Sequence, residues 1–171
     1  MDKSHFQMMA GYGAWANQHL IAASRAVSSN DYFLDRGSFF GSIHGTLNHI
    51  IVGDRIWLGR ITGEDSGLTD LAAHLFDTLN GVAAARESED VRIQGIIDDM
   101  DEADFSGSLT YRTIVNPATI KTPMSQVLTH MFNHATHHRG QVHTLLSQAS
   151  ITPPSLDLIV YLRELDTRAH E

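Results

Sequence analysis

The chain has 171 residues, 42% apolar and 19% charged, with a formal net charge of −8; residues 1–171 are read as one globular domain, because such a mix can bury a sizeable core. Nucleic-acid binding runs on Lys and Arg neutralising phosphates, and their deficit here argues against it. The chain has no cysteine, which excludes disulfides, thiolate metal sites, Cys nucleophiles and iron–sulfur clusters.

Residues 4–27 read as a first helix. Phe6, Met9, Gly13, Ala16 and Leu20 recur at spacings of three and four, with Met8, Tyr12, Trp15 and His19 as an adjacent stripe. Ser28-Ser29-Asn30-Asp31 is a loop signal. A second helix is predicted over 38–61. Phe40, Ile43, Leu47, Ile50, Asp54, Trp57 and Ile61 share one face, with Asp54 the one ionisable member. Gly41, Gly45 and Gly53 cost helix propensity and are read as places where another helix comes close. Residues 62–67 break the pattern, and a third helix follows over 78–101. Arg86 and Asp90 lie one turn apart on its apolar stripe, as a salt bridge at the edge of the core or as a polar pair beside a site.

Residues 105–122 are rich in Thr, Tyr, Ile and Val and predict a short β-hairpin or extended excursion. Pro123 at a first helical position opens a fourth helix over 123–149. Ser155 is expected to cap a short last helix over 156–164. Long amphipathic helices with short connections make an all-α four-helix bundle. No run reaches the ~18 apolar residues of a membrane span, and the first twenty residues lack a secretory pattern. The expectation is a cytoplasmic protein with no membrane partner. Gly11-x-Gly13 has no third glycine and no preceding strand, so it is not a phosphate loop.

Histidine is the outlier. Of eleven, five lie between 130 and 143, on a helix with no acidic residue between 124 and 149. His130, His134 and His138 are spaced by four and share a face. A pair at that spacing can bind one metal ion through two imidazoles. A third ligand must come from another helix, and the second helix offers His44 and His49. A protonated cluster would repel itself, so neutral or metal-bound imidazoles are the favoured states. Spacing alone allows either His137 or His138 beside His134. A zinc-protease reading fails because Ala135 stands where the general base would be. A di-iron reading fails because no Glu precedes these histidines by three.

Tyr12-x-x-Trp15-Ala16-Asn17, Leu47-Asn48-His49 with Asp54 and Trp57 beyond, and Asp157-Leu158-Ile159-x-Tyr161-Leu162 resemble segments of the DinB family, the metal-binding four-helix bundles grouped with YfiT-like proteins. The strongest likeness is His134-x-x-x-His138-Arg139-Gly140-Gln141, and the resemblance covers most of the chain. It implies a metal held by one histidine of the second helix and two of the fourth: His49, His134 and His138. It implies zinc, nickel or iron without choosing among them, and a homodimer. Thiol-dependent members imply a small-molecule substrate handled with a low-molecular-weight thiol. The family shares its name with an unrelated DNA polymerase, and the acidic charge fits that separation.

Three histidines leave a coordination position open, where a metal can activate a thiol or water. The first reading is therefore a metal-dependent thiol S-transferase or hydrolase. Asp54 is the candidate to orient a metal ligand from behind or to act as a base, or else an ordinary helix salt bridge, and Arg139 is read as binding a substrate carboxylate or as a surface or interface residue. The alternatives are a non-catalytic, stress-related metal-binding bundle and a dimeric bundle with no metal. Trp15, Trp57 and Tyr111 are candidate pocket aromatics. His5, His19, His74 and His170 look incidental.

Overall fold

A computed structural model describes residues 2–170. Seven helices and one hairpin are described: α1 Lys3–Ser24, α2 Ser29–Phe33, α3 Ile43–Thr62, α4 Leu79–Asp99, α5 Glu102–Ser106, β1 Ser108–Arg112, β2 Thr119–Pro123, α6 Met124–Gln148 and α7 Leu158–Ala169. The long helices α1, α3, α4 and α6 form the expected bundle. α1 packs on α4 and α6, and so does α3, which puts α1 and α3 on one diagonal. The hairpin pairs antiparallel from Ser108 opposite Pro123 to Arg112 opposite Thr119.

Side-chain caps set three of the helix starts. Asp2, Ser42 and Thr78 accept from the backbone N–H of His5, Gly45 and Gly81, satisfying donors that have no partner within the helix. The Ser42 cap explains why α3 starts later than its periodicity suggests. Gly41 lies before it at φ +72°, a left-handed conformation that costs glycine little. The loop expected at 28–31 holds the short helix α2, capped by Ser28. α5 was not foreseen either; an Asp101/Asp104 capping box closes it. Pro123 is the N-cap of α6, and Asp157 rather than Ser155 precedes α7, which runs on to Ala169.

The apolar core is in three parts, two of them inside the bundle and a third of Tyr12, Trp15, Ala16 and Tyr161 between α1 and α7. Leu20, Ile51, Val82, Val142 and Leu146 are buried at one end of the bundle, and Phe6, Leu58, Ile97, Leu128 and Met131 at the other. Each such side chain contributes about 1.5–3 kcal/mol on burial. The segments between them carry a polar layer. Buried Asp54 of α3 accepts from Arg86 of α4 at 2.5 Å, and Arg86 also reaches Asp90 at 3.1 Å. Asn17 of α1 donates to Asp90 at 2.9 Å. Arg86 and Asp90 are thus a salt bridge inside the bundle, tying three helices together.

Candidate metal centre

α3 and α6 lie side by side, and their facing histidines meet. Nε2 of His134 lies 3.2 Å from Nε2 of His49 and 3.1 Å from Nε2 of His138. All three ligand nitrogens fall within 4.8 Å of one another. Nitrogens bound to one ion at about 2.0–2.1 Å in tetrahedral geometry sit roughly 3.3–3.4 Å apart, so the two separations from His134 are within about 0.2 Å of those of a metal site. The approach depends on Gly53, where an added Cβ would lie 3.0 Å from His134 Cε1. Of the three glycines read as close-approach positions, Gly53 alone faces another helix. Gly41 is outside α3, and a Cβ on Gly45 would strike the Phe40 carbonyl at 2.1 Å.

The far sides of two rings are anchored. His49 Nδ1 lies 2.7 Å from the Leu71 carbonyl, and His138 Nδ1 lies 2.8 Å from Gln141 Oε1. A carbonyl only accepts, so Nδ1 carries the proton in both rings and Nε2 presents a lone pair to the centre. Phe40 stacks on the His49 ring at 3.6 Å between centroids. Burial and the neighbouring imidazoles push His134 down to about 3. Burial pushes His138 down to about 4, and it lowers His49 as well. Three neutral imidazoles turn Nε2 toward one point, two of them with their lone pairs fixed there, which is a nitrogen donor set of the kind a divalent ion takes. The donor set therefore fits a divalent ion.

His49 and His134 also line a cavity of about 430 Å³ between α3, α6 and the hairpin. Trp57 and Tyr111 line it, as does His130, whose ring lies 5.1 Å from that of Trp57. Trp15 does not; it donates to Glu164 of α7 at 2.9 Å and packs on Tyr161. His44, the rival third ligand, lies apart against Tyr32, Asn48 and His74. His137 is exposed beside Gln141.

Asp54 is not brought to the histidines. Its carboxylate faces Arg86 in the polar layer, where burial pushes it up against the pull of that guanidinium. Arg139 is also interior, contrary to the reading that placed it at a substrate or on the surface. It lies over the Tyr12 ring and donates to Thr136 Oγ1 at 2.8 Å. One turn of α6 thus sends His134 and His138 to the centre and Arg139 toward α1.

The DinB family model matches residues 1–168. The chain belongs to the DinB family. Among its relatives, Protein DinB of Bacillus subtilis (strain 168) is 28% identical over 168 residues, covering 88% of this chain and 90% of that one. The crystal structure of a DinB-like protein from Bacillus cereus ATCC 10987 superposes with a TM-score of 0.64 at 16% identity. It covers 82% of this chain and 89% of the other; at that identity the likeness is one of fold. Among the described residues of this DinB protein, no helix is long and apolar enough to cross a membrane.

Leu71, Phe40 and Gln141 had no role in the sequence reading. Gln141 stood inside the family motif, so a spacing of three from His138 on one helix was the available clue. Leu71 acts through its backbone carbonyl, which no side-chain pattern reports.

Proposed function

We propose that this DinB protein binds a divalent metal ion, zinc, nickel or iron, through His49, His134 and His138. It uses that ion to activate a low-molecular-weight thiol or water for transfer to, or hydrolysis of, a small molecule. The observation that carries the reading is the convergence of three imidazole Nε2 atoms beside a cavity of about 430 Å³. When bound, a divalent ion lowers the pKa of a coordinated thiol or water and polarises an electrophile. The chain's own residues do the rest. Leu71 and Gln141 hold two rings in their ligating tautomer. Trp57, Tyr111 and Leu71 supply apolar wall that excludes water and packs the substrate body. Asp54 serves this function by tying α3 to α4 through Arg86. A homodimer is proposed on the family resemblance, and sedimentation at several concentrations tests it.

The test of the site is metal analysis of protein purified without an affinity tag. The wild-type chain retains a divalent ion through dialysis, whereas His49→Ala, His134→Ala and His138→Ala each lose it. Retention in the variants refutes the ligand assignment. Turnover of thiol conjugates by the loaded protein, abolished by chelation and restored by metal, supports an enzyme. Metal binding without any such turnover supports a metal-holding bundle.

A further inference from the structure

The cavity beside the histidines has a cationic corner that no acidic side chain answers. Arg60, in the last turn of α3, lines it and is half-buried. Its guanidinium carbon lies 4.5 Å from the Trp57 ring centroid and 4.8 Å from that of Tyr111. The planar group therefore rests against both aromatics where the helix meets the hairpin. Among the described residues, its hydrogen bonding is limited to Nη2 donating to the Arg112 carbonyl at 3.1 Å. Guanidinium carries five N–H donors, so most are left for a ligand.

Other arginines of this chain are differently placed. Arg36, Arg55, Arg86 and Arg92 each pair with a carboxylate. Buried Arg139 also lacks such a partner, but it donates to Thr136 and lies over Tyr12, whereas Arg60 is the one arginine among the described residues that lines this cavity. Among the described residues, no Asp or Glu lines the cavity. Its remaining wall includes Ile56, Leu71, Ile114 and Val115, which suit an apolar body. Burial lowers the pKa of Arg60, as expected of a cation short of counter-charge.

We propose that Arg60 determines substrate specificity here, by gripping the carboxylate of a small organic acid whose apolar body fills the cavity toward His49 and His134. A planar carboxylate matches the guanidinium fork. A phosphate dianion carries a second negative charge, and Arg60 is the one Lys or Arg side chain among the described lining residues. This deepens the metal-site reading and rests on it for the position of the reacting end, but the grip itself needs no metal.

The experiment is calorimetric titration of zinc-loaded and metal-free protein with phenylacetate and with its neutral isostere phenylacetamide. The acid is expected to bind at least about 10-fold tighter than the amide. Arg60→Met and Arg60→Gln remove that preference, while Arg60→Lys keeps part of it, and the Arg60-dependent difference persists without zinc. The proposal is overturned if acid and amide bind alike, if neither binds, or if the preference survives in the Met and Gln variants. A chain that takes up no metal yet prefers the acid through Arg60 refutes the metal reading alone. One that binds zinc through the histidines but shows no preference refutes this proposal alone.

Discussion

At the scale of single residues, the candidate centre depends on the second nitrogen of two of its three imidazoles. Gln141 accepts from His138 Nδ1, so Gln141→Ala leaves that ring free to turn and to swap tautomers. Metal affinity should fall about 10–100-fold, as is usual when such a partner is lost, and a competition titration with a chelator measures it. Asp54 makes a contrasting case. Asp54→Asn removes one carboxylate from a buried cluster whose Arg86–Asp54 members are each 5% exposed, leaving Asp90 as the remaining counter-charge of Arg86. Urea unfolding should show a loss of about 1–3 kcal/mol. Metal content of the folded fraction should stay at the wild-type level, because Asp54 contacts Arg86 and not the histidines. A variant that is stable but metal-free would contradict that division of labour.

Between elements, the spacing of α3 and α6 decides whether three nitrogens meet. Gly53 sets that spacing opposite His134. Gly53→Ala adds a methyl where 3.0 Å is available to the His134 ring, so the ring or the helix must shift. The expected cost is about 1–3 kcal/mol of overpacking, offset in part by the better helix propensity of alanine. The more telling readout is weaker metal binding, seen as a displaced absorption spectrum of the cobalt-substituted protein. An unchanged spectrum would show that α6 has room to spare. The hairpin was legible in the Thr-, Tyr- and Ile-rich run before Pro123. Its use as a cavity wall was not, because it depends on Tyr111 reaching Trp57, 5.1 Å away across the fold.

Across the whole molecule, the buried imidazoles tie stability to pH. His134 and His138 are held near 3 and 4 in the fold, against 6.5 in an unfolded chain, and His49 is lowered too. Between those values the unfolded chain binds more protons than the native one. Stability of the metal-free protein is therefore fully present above pH 6.5 and is lost as pH falls toward 4. Thermal melts of metal-free protein should show Tm level above neutrality and declining through that window. Zinc should raise Tm at neutral pH in proportion to the logarithm of its free concentration. The gain should vanish on acidification, as protons displace the ion. A Tm independent of both pH and zinc would contradict neutral, ligating histidines.

Local pattern was enough to read the bundle and the helix that carries the histidine cluster. Helical periodicity is a local property, and His134 and His138 share a face through the pitch of one helix. The family motif added His49, which spacing could not separate from His44. Only the tertiary structure decided that His44 turns to Tyr32 while His49 meets His134. It alone showed that Asp54 and Arg139 face the interior layer and that Arg60 stands uncompensated in the cavity. Those outcomes depend on which neighbour each side chain meets across a helix–helix contact. That is set by packing between segments far apart in the chain, and no local pattern records it.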